Sequence, residues 1–98
     1  MRLRWTFRAK DDLLSIGRFI ARDDPETARA FVARLQARAR LAAKFPRSGR
    51  VVPEFRRQDV REVLEGNYRI VYRVTRVFVE VLTVFEGHQL FPEEAFPD

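Results

Sequence analysis

Apolar and polar residues alternate at the start of the chain. Leu3 and Trp5 are set between Arg2, Arg4 and Thr6, which predicts a short strand with one buried face. The period then changes. Ala9, Leu13, Ile16 and Ile20 fall on one helical stripe, while Lys10, Asp11, Arg18 and Arg22 lie off it. Next comes Asp23-Asp24-Pro25-Glu26, a strong helix start. Asp24 suits the N-cap, Pro25 the first helical position, and Glu26 the positive end of the helix dipole. A second helix should run from there to about Lys44. Its apolar stripe is Ala28, Phe31, Val32, Leu35, Ala39 and Ala42. Arg29, Arg40 and Lys44 point away from that stripe, and Arg34 and Arg38 flank it. So short a link between two helices predicts an antiparallel hairpin.

Pro46-Arg47-Ser48-Gly49-Arg50 is turn chemistry and ends the second helix. The link from Val51 to Gln58 contains Pro53, which argues against a long regular strand there. Three strands should follow: Val60 to Leu64, Tyr68 to Val74, and Val77 to Phe85, with a tight turn at Glu65-Gly66-Asn67. Tyr68, Ile70, Tyr72 and Val74 share one face of the middle strand, and Arg69, Val71 and Arg73 the other. The last strand is apolar on both faces apart from Glu80 and Thr83, so it should lie centrally, with the helices over one side. The tail from Leu90 to Asp98 carries little structural signal. The predicted fold is therefore α+β, in the order strand–helix–helix–strand–strand–strand. Its helical hairpin packs on an antiparallel sheet.

Composition narrows the chemistry. Ninety-eight residues suit a single domain covering 1–98, with 46% hydrophobic residues to fill one modest core. The absence of cysteine removes disulfides, thiolate metal sites and cysteine nucleophiles. One histidine, His88, builds no histidine cluster, and neither Ser15 nor Ser48 sits in a nucleophile elbow. The four glycines are scattered and make no phosphate-cradling loop. No cofactor and no metal are expected. The longest apolar-rich run, Val77 to Phe85, is interrupted by Glu80 and far too short for a bilayer, so the chain reads as soluble and cytoplasmic.

Charge adds a direction. The net charge is +5, but residues 1–50 hold thirteen Lys/Arg against five Asp/Glu, and residues 51–98 hold six against nine. Between Thr27 and Pro53 there are seven basic residues and no acid. A solvated helix face would account for this run, and so would a docking surface for an acidic protein segment or nucleic acid.

Four segments carry a resemblance. They are Asp12-Leu13-Leu14-Ser15-Ile16 through Asp24-Pro25-Glu26-Thr27-Ala28; Phe45-Pro46-Arg47-Ser48-Gly49-Arg50; Val60 through Val74, centred on Asn67-Tyr68-Arg69-Ile70-Val71-Tyr72; and Val81-Leu82-Thr83-Val84-Phe85-Glu86-Gly87. In these, the chain resembles the RelE/ParE superfamily of type II toxin–antitoxin toxins, and within it the ParE branch. The resemblance implies a growth-arresting toxin of the plasmid-stabilisation kind, neutralised by a cognate antitoxin that is acidic and partly disordered. In the ParE branch the implied target is DNA gyrase. In the RelE branch it is mRNA on the ribosome, which is cleaved.

Cleavage through a ribose 2′-hydroxyl needs a base, a cation beside the phosphate and an acid for the leaving oxygen. Here the candidates are Arg61, Arg69, Arg73 and His88. No tyrosine follows Tyr72, and both lysines are assigned to helices. Arg69 and Arg73 could instead pair with Glu62 or Glu80 on neighbouring strands. The residues favour a binding inhibitor over a ribonuclease. A non-catalytic nucleic-acid-binding module is a third reading, supported by the basic helix but by no helix-turn-helix spacing or RNA-reading aromatic motif. For the antitoxin, the expected contacts are Arg29, Arg34, Arg38, Arg40 and Lys44.

Overall fold

The computed structural model describes residues 1–95. Its elements are β1 (Arg2–Trp5), α1 (Phe7–Ala21), α2 (Pro25–Lys44), β2 (Arg50–Val51), β3 (Val60–Glu65), β4 (Tyr68–Val74) and β5 (Phe78–Glu86). Short 3₁₀ turns occupy Pro46–Ser48 and Glu93–Ala95. The strands form one sheet in the order β1-β5-β4-β3-β2. β2 through β5 are antiparallel, as the turn spacing requires, while β1 joins β5 in parallel and makes the sheet mixed. β5 is thus paired on both sides, with β4 at the middle of the sheet. The two-residue β2 falls within a stretch expected as turn and link.

The helices start where their caps place them. Asp24 accepts hydrogen bonds from the Glu26 and Thr27 amides at 3.1 and 3.3 Å. At α1 the cap is Thr6, whose hydroxyl accepts from the Ala9 amide and donates to the Leu82 carbonyl, both at 3.1 Å. One side chain therefore starts the helix and ties it to β5.

Both helices lie on one face of the sheet. Leu35, Ala39, Ala42 and Ala43 of α2 and Ala9 and Ile16 of α1 pack on Val63, Ile70, Tyr72, Val79, Val81 and Val84. On β5 the inward phase shifts from odd to even numbers because Leu82 is left without an opposite residue on β4. This bulge leaves the Val84 amide pointing at α1, where the Asp12 carboxylate accepts it at 3.0 Å and the Thr83 hydroxyl at 2.6 Å.

The opposite face carries a smaller cluster of Val52, Val60, Val71, Leu82 and Phe85, closed by Phe55 and Phe91. Phe91 meets the Phe55 and Phe85 rings edge-on at 5.1 and 5.3 Å, and Ala95 is buried. The tail is therefore anchored at Phe91 and Ala95, more than its sequence signals, while Leu90 stays exposed. Phe96, Pro97 and Asp98 lie outside the described residues.

Two glycines are required for different reasons. Gly66 takes φ +59° in the β3–β4 turn, a conformation that side chains with a Cβ rarely adopt. Gly49 has ordinary angles, but a Cβ there would meet the Tyr72 hydroxyl at 2.3 Å and the Glu62 carbonyl at 2.7 Å. That hydroxyl donates to the Pro46 carbonyl at 2.7 Å and pins the end of α2 to the sheet.

Candidate functional site

α2 divides its basic residues between two flanks. Arg34 lies over the Phe31 ring and pairs with Glu65 at 3.6 Å. The Arg38 Nε donates to the Leu64 carbonyl at 3.3 Å. These two arginines fasten α2 to the edge of β3. Arg29, Arg40 and Lys44 lie away from that edge and are exposed. Eleven residues is close to three helical turns, so Arg29 and Arg40 fall on one line. Among the described residues none of the three makes an ion pair. Lys44 rests 5.8 Å above the Phe45 ring. The five expected antitoxin contacts are thus a free set of three and a fastened set of two.

Arg29 also borders an open apolar groove along the outside of the hairpin. Leu13, Leu14, Gly17 and Ala21 of α1 face Ala28 and Val32 of α2 across it, with Lys10, Arg18 and Arg29 at the rim. Leu14 is 56% exposed. At its floor the helices come close at Gly17, where a Cβ would lie 3.3 Å from the Val32 side chain. Sequence periodicity identified the inward stripe but gave no sign of this outward channel.

The four residues considered for RNA cleavage do not converge. Arg61 sits on the helix side of β3 and donates to the Gly49 carbonyl at 2.9 Å and to Gln58 through its backbone and side-chain oxygens. Arg69 and Arg73 point to the opposite face, four residues or about 13 Å of strand apart. Arg69 donates through Nε to Glu62 and through both terminal nitrogens to Glu54, at 3.0 and 2.9 Å. It is packed between the Phe85 and Phe91 rings, 5.0 and 5.4 Å from their centroids. Glu62, fully buried, holds Arg50 with its other oxygen at 2.5 Å. Arg73 stands 3.7 Å from Glu80. Both arginines therefore face the acidic partners considered from the sequence. His88 is 87% exposed and bonded to Glu86, with Nδ1 2.6 Å from Oε1.

Protonation follows these contacts. The hydrogen bonds from Arg69 hold the Glu54 carboxyl below its ordinary range, and Arg69 is held more firmly protonated in return, chiefly by Glu54. The backbone amide and then the ring of His88 lower Glu86. Burial raises Tyr72. The Glu54 carboxylate beside Arg69 is thus charged at neutral pH and opposes entry of a phosphate. No group of three or more His, Asp or Glu side chains among the described residues could hold a metal ion. Glu54, Arg50 and Phe91, which complete the Arg69 clamp, lie in segments without periodic signal.

Compared with known families, residues 3–91 match the ParE toxin of the type II toxin–antitoxin system parDE. The chain belongs to the ParE toxin family. Among curated relatives, a Sinorhizobium fredii (strain NBRC 101917 / NGR234) protein named "Putative toxin Y4kP" is 40% identical over 94 residues, which is 94% of each chain. Among solved structures, a chain of the chromosomal ParDE TA system from P. aeruginosa superposes with a TM-score of 0.71 at 21% identity. The alignment covers 88% of this chain and 95% of that one. That likeness shows the ParE fold, two helices on a five-stranded mixed sheet. No helix among the described residues is long and apolar enough to cross a membrane.

Proposed function

We propose that this ParE-family toxin arrests growth in the cytoplasm by binding DNA gyrase, without a catalytic centre of its own, and that an acidic, partly disordered antitoxin neutralises it. The observation that carries the binding reading is the engagement of the sheet arginines. Arg69 is clamped by two carboxylates and two rings, and Arg61 faces the other side of the sheet. A phosphodiester entering beside Arg69 would meet Glu62 and Glu54 before it met a free cation. Beside Arg69, the ribonuclease chemistry therefore lacks its cation.

The antitoxin reading draws on the hairpin. An amphipathic helix could lay apolar anchors along Leu13, Leu14, Ala28 and Val32 while its carboxylates meet Lys10, Arg18 and Arg29. Arg40 and Lys44 extend the same charge along α2. A disordered segment that folds in this groove would gain its ordering energy from apolar burial and its association rate from charge. Such a toxin and its antitoxin would together stabilise the replicon that encodes them.

Parallel assays of the purified chain test the target. Supercoiling by gyrase should be inhibited, and mRNA on translating ribosomes should stay intact. Ribosome-dependent cleavage with unaffected supercoiling would replace this reading with the RelE-like one. Activity lost from His88→Ala in a folded protein would point the same way.

A further inference from the structure

The sheet face away from the helices is only half covered. Phe55 and Phe91 close over Val60, Val71, Leu82 and Phe85. The other end, where β1 and the start of β5 lie, has no such cover among the described residues. Leu3 and Trp5 turn to the helices, so Arg2 and Arg4 turn to this open end, and both are exposed. Register places Arg2 beside Phe78, Arg4 beside Glu80, and Arg73 beside Glu80 from the other side. Arg76 is exposed in the adjoining turn.

These cations are held loosely. The Arg4 guanidinium lies over the Phe78 ring at 4.5 Å, and neither Arg2 nor Arg4 has an acidic partner among the described residues. Arg73 stands off Glu80 at 3.7 Å, beyond hydrogen-bond reach; its Nε is buried without an acceptor, and the partly exposed end of its guanidinium is what remains for a ligand. Arg57 and Asp59 nearby pair with each other at 2.7 Å. Four arginines therefore face a single unshared acid, Glu80, which is itself largely covered. None of this charge belongs to α2 or to the hairpin groove.

We infer that this uncovered end of the sheet binds a single nucleic-acid strand through Arg2, Arg4, Arg73 and Arg76, with Phe78 and the Arg4 plane as a stacking platform. Two features favour nucleic acid over an acidic peptide. A guanidinium stacked on a ring leaves its in-plane donors for phosphate oxygens and offers a flat surface to a base. A carboxylate side chain would use the donors alone and leave the platform empty. An open sheet face suits an extended strand with unstacked bases, as sheet-based readers of single strands do. The inference does not depend on which enzyme the toxin inhibits.

Fluorescence anisotropy of a labelled oligothymidylate tests it, with polyglutamate as competitor and salt as the variable. Arg2→Gln with Arg4→Gln should weaken binding at least tenfold at low salt. The slope of log affinity against log salt should fall by about 1.4, two phosphate contacts of a single strand. Arg4→Lys keeps the charge and loses the plane, so it should weaken binding and leave the slope in place. Arg29→Gln with Arg40→Gln, on the exposed line of α2, should change neither. Three results would overturn the inference: wild-type affinity in the Arg2/Arg4 variant, an equal loss in the α2 variant, or polyglutamate displacing the oligonucleotide at matched charge.

Discussion

Toward the helices the sheet presents Val63, Ile70, Tyr72, Val79, Val81 and Val84, and regular secondary structure covers them with Leu35, Ala39 and Ile16. On the other side the cover is irregular chain, and the contacts are of another kind. Arg69 bridges Glu62 and Glu54 there, packed between the Phe85 and Phe91 rings, and Phe55 meets Phe91 edge-on. The helix side is held by area removed from water, which is non-directional and forgiving of shape. The far side is held by charged hydrogen bonds, which fail abruptly when one partner goes. A surface closed in the second way is fixed in one arrangement.

Removing a central residue from each side should expose the contrast. Arg69→Ala leaves Glu54 unpaired and buried Glu62 with Arg50 alone, and should cost about 3–5 kcal/mol in urea denaturation at pH 7. Leu35→Ala opens a cavity in the helix-side core and should cost about 2–5 kcal/mol. pH separates the two. The folded-state value of Glu54 lies below its ordinary 4.5, so the unfolded chain takes up that proton first. The stabilisation is complete above 4.5 and is lost as pH falls through the folded value. The penalty of Arg69→Ala should shrink on acidification below pH 4.5, while that of Leu35→Ala should not. Parallel pH profiles for the two variants would show that the far side is held by packing alone.

The glycines give the next two steps. Gly49→Ala forces a methyl group onto the Tyr72 hydroxyl and the Glu62 carbonyl. An overpacked core of this kind costs about 1–3 kcal/mol. The loss would begin at the end of α2, where Tyr72 holds Pro46, and hydrogen exchange of the 47–51 amides should accelerate with it. Gly66→Val meets backbone strain instead, in a turn at the surface, and should cost about 1–2 kcal/mol. An unchanged melting temperature for Gly66→Val would mean that the turn relaxes to another type.

The same contrast governs what was legible in the residues. Helix-side positions recur with a period, so the apolar stripe of α2, the alternation of β4 and the order of elements could all be read directly. Far-side positions do not recur. Glu54 and Phe91 sit in stretches rich in proline and charge, and what joins them to Arg69 is three-dimensional closure rather than spacing. β2 is two residues long and too short for any pattern, and the parallel pairing of β1 depends on where the hairpin returns the chain. Asp12 and Thr6 serve the β5 bulge, a register event that leaves no periodic mark. For the candidate site, the basic run was plain. Its division into free and fastened arginines needed the position of β3.

That division yields the smallest and most specific prediction. Arg34 and Arg38 face Glu65 and the Leu64 carbonyl, so reversing both charges should loosen α2 on β3 more than it disturbs a docking partner. Arg29 and Arg40 have no such duty. If an acidic antitoxin seats in the hairpin groove, Arg29→Glu with Arg40→Glu should slow its association several-fold and flatten the salt dependence. Its dissociation, set by Leu14 and Val32, should change little. The Arg34→Glu, Arg38→Glu pair should do the reverse, lowering the melting temperature with a smaller effect on association. Stopped-flow association of each variant with the antitoxin at low and high salt, beside its thermal melt, decides between them. Equal slowing in both variants would mean that the whole circumference of α2 steers the partner and that the groove does not define its path.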